Sequence, residues 1–232
     1  AAPGAIERVR IDPVTLEPRF KVIGGNLWSD DPGFESELGE QDVTGICGSG
    51  IIEVIASMYL AGIIRADGVI DGSLANRNPR IEASGRIFSY LLHLGEPESG
   101  RPEIRIHQAD VRAIQLAKAA LYAGARLLMD RMGVDKVDRI RLAGAFGSHI
   151  DVKYAMVLGM IPDCDLAQVS SAGNAAGTGA RIALLNKASR DGIENRVCQV
   201  EKVETAVDEN FQRHFVDAMG IPHSSHAYPM LS

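Results

Sequence analysis

Cysteines, long apolar runs and basic clusters are all scarce in this sequence. The three cysteines, Cys47, Cys164 and Cys198, lie far apart and form no Cys-x-x-Cys pair. This spacing argues against a disulfide framework, a zinc site or an iron–sulfur cluster held by this chain alone. The apolar stretches are too short and interrupted to cross a bilayer, and no charged-then-apolar signal segment opens the chain. We therefore expect no membrane association and a cytoplasmic location.

Positive charge is also limited. The 232 residues include 24 Lys and Arg against 30 Asp and Glu, and no basic stripe runs along any predicted element, which disfavours nucleic-acid binding. The sequence has neither Gly-x-x-x-x-Gly-Lys-Ser/Thr nor Gly-x-Ser-x-Gly, so a P-loop enzyme is excluded on motif grounds and no nucleophile elbow is indicated. The 46% hydrophobic content suffices for one sizeable core or two small lobes.

Apolar periodicity predicts an α/β fold, with a mixed sheet that carries helices on its faces. Proline- and glycine-marked boundaries divide the chain into strands, loops and helices. The predicted strands are 6–11 and 20–23, which form a hairpin, then 86–94, 104–106, 137–143 and an edge strand at 197–207. The first predicted helix begins in the glycine-rich segment 45–50 and ends near 60. Further helices are predicted at 110–132, 151–158, 175–189 and 209–219, and 24–44 is predicted as a loop.

A buried strand that runs into the turn Gly144-Ala145-Phe146-Gly147 is the most specific local pattern. A nucleotide needs a backbone that it can approach closely at the carboxyl end of a strand, and glycine has no Cβ to block that approach. The Gly-x-x-Gly pattern alone is also typical of a tight strand-to-helix turn, so both interpretations stay open at this point.

Two further glycine-rich segments could carry function. Gly173-Asn174-Ala175-Ala176-Gly177-Thr178-Gly179-Ala180 predicts a thin helix face, which suits either a hinge between two lobes or plain tight packing. Gly45-Ile46-Cys47-Gly48-Ser49-Gly50 opens a helix whose free N–H groups and dipole suit a phosphate. A purely structural helix start is the alternative for this segment.

These three segments, in this order, resemble the C-terminal domain of reductive activators of corrinoid proteins. The resemblance runs over nearly the whole chain, including the opening 1–7, the helix start 110–118 and the phenylalanine-containing end 211–222. Members of that family belong to the acetate kinase, sugar kinase, heat-shock protein 70 and actin superfamily. They couple ATP hydrolysis to the reduction of cob(II)alamin to cob(I)alamin in corrinoid methyltransferase proteins.

The resemblance implies a ribonuclease H-like (actin-like ATPase) lobe within an incomplete two-lobed fold. Residues 1–232 would be a single C-terminal domain fragment, mainly the second lobe. Gly144 to Gly147 would be the adenosine motif. Gly173 to Ala180, which includes Asn174, would be the second connecting helix. Gly45 to Gly50, which includes Gly48 and Ser49, would be the start of the second lobe's first helix. No catalytic residue and no metal ligand is assigned.

The implied cofactors are ATP with Mg²⁺ and a two-iron two-sulfur cluster. The family's phosphate motifs and its iron–sulfur domain would lie upstream of this chain, so we expect the fragment to have no ATPase activity alone. The implied partner is a corrinoid methyltransferase protein, and homodimerisation stays open. Two other functions remain as alternatives, a non-catalytic binding or dimerisation module and a small-molecule kinase of the same superfamily.

Overall fold

A computed structural model describes residues 2–39, 42–96, 103–144, 147 and 149–231. Short strands alternate with helices along the chain, as in the predicted α/β class. The strands are β1 (Ala5–Ile11), β2 (Pro18–Val22), β3 (Gly45–Ile46), β4 (Ile81–Ser84), β5 (Ile87–His93), β6 (Ile104–His107), β7 (Ile140–Ala143) and β8 (Val169–Gly173). The helices are α1 (Phe34–Leu38), α2 (Gly48–Leu60), α3 (Gln108–Met132), α4 (Val152–Val157), α5 (Ala175–Leu185), α6 (Lys187–Val197) and α7 (Glu209–Asp217).

The first sheet has the order β2-β1-β3 and is mixed. The pair β1–β2 is antiparallel, as predicted for the hairpin, whereas β3 runs parallel to β1. Helix α2 covers this sheet with an apolar face that includes Val54, Ile55 and Met58, all fully buried. These side chains form the main hydrophobic cluster together with Ile6 and Val9 of β1. Burial of this apolar surface holds the helix on the sheet.

The second sheet, β4-β5-β6, is antiparallel throughout and leads directly into the long helix α3. The helix begins with a capping box in which Asp110 accepts a hydrogen bond from the His107 N–H at 2.8 Å. The helix therefore begins two residues before the predicted start at 110, with His107 as its N-cap. The helix ends at Gly133, whose φ of +66° gives the left-handed termination that glycine favours.

The third sheet is the parallel pair β7–β8, with α4 between the strands in the chain and α5 after β8. Ile140 pairs with Val169 and Leu142 with Ser171. A second apolar cluster under this pair contains Met156 of α4 and Val169 of β8. The arrangement is a strand–helix–strand unit that leaves the carboxyl ends of both strands side by side.

Strand β8 was not predicted, and three further element predictions differ from the structure. The predicted loop 24–44 contains α1, whose Phe34 is buried edge-on against Phe20 with ring centroids 5.8 Å apart. The helix predicted to reach residue 189 ends at Leu185, because Asn186 leaves helical geometry and its side chain caps α6 through the Ser189 N–H. The predicted edge strand 197–207 is wrong, since α6 continues to Val197 and the residues after it form no strand.

None of the helices in the described part of the chain is long and apolar enough to span a membrane.

Candidate functional site

The carboxyl ends of β7 and β8 bring two of the predicted glycine segments together. Ala143, the last residue of β7, pairs with Gly173 of β8, and the N–H of Gly144 donates a 2.8 Å hydrogen bond to the Gly173 carbonyl. Residues 29 positions apart in the chain are thus adjacent at one sheet edge. In open α/β sheets, ligands bind outside this edge, because glycines in the loops there let a ligand approach the backbone closely.

Both glycines have conformations that other residues rarely adopt. Gly144 has a φ of +121° and Gly173 a φ of +64°. A Cβ built at either position would meet no other atom of the described residues within 4 Å, so the described part of the chain leaves the space in front of both glycines open. Their glycine identity is therefore set by backbone conformation, and the open space admits a ligand directly against the main chain.

The rest of the turn is described only in part. Ala145 and Phe146 lie outside the described residues, so their proposed adenosine contacts stay predictions. A Cβ at Gly147 would lie 3.4 Å from the Leu142 Cβ, which is ordinary van der Waals contact with the preceding strand.

The amino end of α5 lies at the same edge, directly after Gly173. The Asn174 side-chain oxygen accepts a 3.0 Å hydrogen bond from the Gly177 N–H, and so caps the helix. The remaining free N–H groups of the first turn and the helix dipole give this end a positive partial charge. The edge therefore combines an open glycine backbone with an amino-terminal helix end, a combination that suits a polar or anionic ligand.

The third segment, Gly45 to Gly50, is held in another part of the fold, at the first sheet. Gly45 pairs with Ala5, and a Cβ at Gly50 would lie 2.3 Å from the Ile6 carbonyl oxygen. Gly50 is thus needed for the close approach of α2 to β1. Gly48 begins α2, and the side chain of Ser49 is buried with its hydroxyl 3.1 Å from the Cys47 sulfur. Among the described residues, no hydrogen bond joins this segment to Gly144 or Gly173, and its contact with a ligand stays a prediction.

An ionic network around one buried carboxylate connects the first sheet to the helix that follows the glycine turn. Glu53 of α2 is fully buried and accepts hydrogen bonds from Arg8 at 2.6 Å, from Arg10 at 2.5 Å and from the Val9 N–H at 3.0 Å. The second terminal nitrogen of Arg10 lies 3.5 Å from Asp151. Glu53 therefore has enough partners to offset the loss of its hydration.

The position of Asp151 makes this network relevant to the site. Its side chain accepts a 3.0 Å hydrogen bond from the Lys153 N–H, and so forms the N-cap of α4, the first helix after the turn. Sequence reasoning missed the network, although one signal was visible, since Glu53 stands alone as a charge within the apolar run 51–60. The network fixes α4 against β1 and α2.

A second buried charge, Lys118 of α3, was also missed. Its side chain is 2% exposed and donates hydrogen bonds to the carbonyl oxygens of Gly220 and, at 2.7 Å, of Pro222. Burial lowers the pKa of this lysine to about 7. Lys118 thus holds the segment after α7 against α3, far from the glycine turn in sequence.

Metal binding has little support from the described residues. They contain no group of three or more His, Cys, Asp or Glu side chains placed to hold a metal ion. Cys47 is half-buried, Cys164 buried and Cys198 exposed. The described part of the site presents backbone groups and the Asn174 amide to a ligand.

Comparison with known proteins gives the family. The model of the family described as the C-terminal domain of RACo, the ASKHA domain, matches residues 1–232. The corrinoid activation enzyme RamQ of Eubacterium limosum is 37% identical over 185 residues, which cover 76% of this chain and 31% of that protein. A solved structure named reductive activator for corrinoid, iron-sulfur protein has a TM-score of 0.81 at 31% identity, over 99% of this chain and 34% of that one.

The chain spans about a third of the length of each of these relatives. The match confirms the predicted actin-like α/β fold, with sheets flanked by helices. This chain therefore belongs to the family of C-terminal ASKHA domains of reductive activators of corrinoid proteins.

Proposed function

We propose that this chain is the C-terminal nucleotide-binding part of an ATP-dependent, iron–sulfur-containing activator that reduces cob(II)alamin to cob(I)alamin in corrinoid methyltransferase proteins. The observation that carries the proposal is the hydrogen bond between Gly144 and Gly173, which joins two glycine segments at the carboxyl edge of β7 and β8. Family membership and the names of the two relatives support the corrinoid part of the proposal.

In this proposal the adenosine part of ATP lies against the turn Gly144 to Gly147. Gly144 and Gly173 offer open backbone, and Asn174 holds the amino end of α5 in place by its cap. The segment Gly45 to Gly50 contributes through the amino end of α2, which has no side-chain cap. When bound, ATP supplies the free energy that makes an unfavourable electron transfer to cobalt proceed.

The uncovered face of α5 and α6 supports the assignment to one lobe of a two-lobed clamp. Neither helix contains a buried residue, and Leu184 and Leu185 are 77% and 84% exposed. Exposed leucines at adjacent positions are unusual on the surface of a chain that works alone. The proposal places the other lobe, with the phosphate and magnesium ligands and the iron–sulfur domain, in further parts of a longer polypeptide.

The proposal is tested with the complete polypeptide that carries this domain, kept anaerobic with a reductant and a corrinoid protein. Cob(I)alamin formation is followed by its absorbance, with ATP and with a non-hydrolysable analogue. We expect cob(I)alamin to form with ATP and not with the analogue. Formation at the same rate without ATP would refute the coupling, and absence of cobalt reduction together with phosphorylation of a small molecule would favour the kinase alternative.

Gly144→Val tests the site within the same assay. Valine at a φ of +121° is strained, and its side chain would fill the open space in front of the backbone. We expect loss of ATP-dependent cobalt reduction with unchanged reduction of the iron–sulfur cluster by the chemical reductant. The matched control is Gly192→Ala, at a position of α6 with open space and no positive φ, which should keep the activity.

A further inference from the structure

A cavity of about 310 Å³ lies between the loop that follows α2, the turn of the β4–β5 hairpin and the start of α3. Each of these elements contributes one arginine to its wall, namely Arg65, Arg86 and Arg112. Among the described residues that line the cavity, Asp71 is the one carboxylate. The lining thus carries three positive charges against one negative charge, whereas the whole chain has a formal net charge of -6. The cavity is therefore a local concentration of positive charge in an acidic chain.

Two of the three guanidinium groups have no partner within the described part of the chain. Arg86 and Arg112 are exposed, and neither forms a hydrogen bond or an ion pair with another described residue. Arg65 pairs with Asp67 at 3.2 Å, but both side chains of that pair are more than half exposed, so solvent weakens the attraction. Like charges around one cavity repel each other, so an anion bound between them would lower the free energy of the folded chain.

The walls of this cavity are held in place by contacts within the chain. The side-chain oxygen of Gln108, the first residue of α3, accepts a 3.0 Å hydrogen bond from the Ile70 N–H, and its side-chain nitrogen donates a 2.7 Å hydrogen bond to the Gly68 carbonyl. These two bonds tie the loop after α2 to the start of α3. A Cβ on Gly72 would collide with the ring of Phe88, so the same loop also packs directly against β5. Because the cavity is formed without a ligand, binding costs little ordering of the chain.

The charge and the walls of the cavity favour a phosphoryl group over a carboxylate. A guanidinium group binds phosphate oxygens through paired, charge-assisted hydrogen bonds, and a phosphate offers oxygens in several directions at once. A phosphate monoester carries about two negative charges near neutral pH, which match the two net positive charges of the lining. One wall is apolar, since it contains Ile87, which is 49% exposed, and the half-buried Phe88. This wall suits an apolar body attached to the phosphoryl group.

We propose that the cavity bounded by Arg65, Arg86 and Arg112 binds a phosphoryl dianion, either as the free ion or as the head group of a small organic phosphate. The three arginines bind the phosphoryl oxygens, and the apolar wall contacts the body of an organic ligand. The bound anion joins the loop after α2, the β4–β5 turn and the start of α3. The site is separate from the sheet edge at Gly144 and Gly173, because none of the glycine segments proposed to contact nucleotide lines the cavity.

Isothermal titration calorimetry of the complete polypeptide tests the chemistry of the ligand with three probes, inorganic phosphate, phenyl phosphate and benzoate. Saturable binding of phosphate or phenyl phosphate is expected. Tighter binding of phenyl phosphate identifies an organic phosphate as the ligand, and equal binding of the two identifies the free ion. Benzoate has the same ring with a single negative charge, and should bind at least about tenfold more weakly than phenyl phosphate. No saturable binding of either phosphate would overturn the proposal, and so would benzoate binding as tight as that of phenyl phosphate.

Arg86→Gln and Arg112→Gln test the location of the binding site. Both positions are exposed, so circular dichroism should be unchanged, and each substitution should raise the Kd for phenyl phosphate at least about tenfold. Arg131→Gln is the matched control, because it removes the same charge from an exposed position of α3 that does not line the cavity, and it should leave the Kd unchanged. Equal weakening by all three substitutions would show general attraction to a cationic surface and overturn the proposal. Binding that survives in Arg112→Gln but is lost in Gly144→Val would place the phosphate at the nucleotide edge and overturn it as well.

Discussion

The buried amine of Lys118 predicts a specific pH dependence of stability. The side chain is almost fully enclosed and is held by the carbonyl oxygens of Gly220 and Pro222. Burial lowers the pKa of Lys118 from 10.5 to about 7 in the folded chain. Replacement by methionine, which has a similar length and no charge, removes this titration while filling most of the same space.

The direction in which stability changes with pH follows from how many protons Lys118 binds in the folded and in the unfolded chain. Below about pH 7 the lysine is protonated in both the folded and the unfolded chain, so the cost of burying its charge is present in full. As the pH rises from about 7 towards 10.5, the unfolded chain keeps the proton and the folded chain releases it. Stability relative to the methionine variant therefore increases with pH, by at most about 1.4 kcal/mol per pH unit.

By about pH 9 the gain in unfolding free energy relative to the methionine variant is at most about 3 kcal/mol. The two carbonyl hydrogen bonds favour the charged amine and so reduce this gain. The assay is urea unfolding of the wild type and of Lys118→Met at a series of values between about pH 6 and pH 9. Subtraction of the two curves removes the titration of groups that both proteins share. A difference that stays constant above pH 7, or that falls, would refute the argument.

Four other substitutions test ion pairing, capping and packing by urea unfolding. Glu53→Gln should destabilise the chain by about 2–4 kcal/mol, since it leaves two arginines without their buried carboxylate, and an effect below about 0.5 kcal/mol would contradict this role. Asn174→Ala should lower the free energy of unfolding by about 1 kcal/mol through loss of the α5 cap, and should lower nucleotide affinity in the complete polypeptide. Gly50→Ala should cost more than about 1 kcal/mol because its Cβ would collide with the Ile6 carbonyl oxygen, whereas Gly179→Ala, with open space inside α5, should stabilise the chain by up to about 1 kcal/mol. Equal effects of Gly50→Ala and Gly179→Ala on the free energy of unfolding would show that the close approach of α2 to β1 is not the reason for glycine at position 50.

Much of the fold could be predicted because its signals are local. The hairpin 6–23 shows apolar alternation around a proline-marked turn, and α3 shows a helical period that ends at Gly133. The end of α5 was not predictable in this way, because helix-forming residues continue past Asn186 and only the cap formed by that residue separates two helices. An alternating segment such as 197–207 becomes a strand only where a neighbouring strand is available, and that is a property of the tertiary fold.

The candidate site shows the same division between local and tertiary information. The two glycine segments at Gly144 and Gly173 were visible separately, but their direct hydrogen bond depends on the register of β7 against β8. The partners of the two buried charges were invisible for the same reason. Glu53 meets Arg8 across 45 positions of sequence, and Lys118 meets the Gly220 carbonyl across 102.

Photolabelling with azido-ATP tests the central claim most directly, namely that the edge formed by β7, β8 and α5 is one wall of a nucleotide site. The complete polypeptide is irradiated with the nucleotide and magnesium, digested, and the labelled peptides are identified by mass spectrometry. We predict label within residues 144–149 or 173–179, lost on competition with ATP and strongly reduced in Gly144→Val. Competable label found only in other parts of the protein would contradict the account.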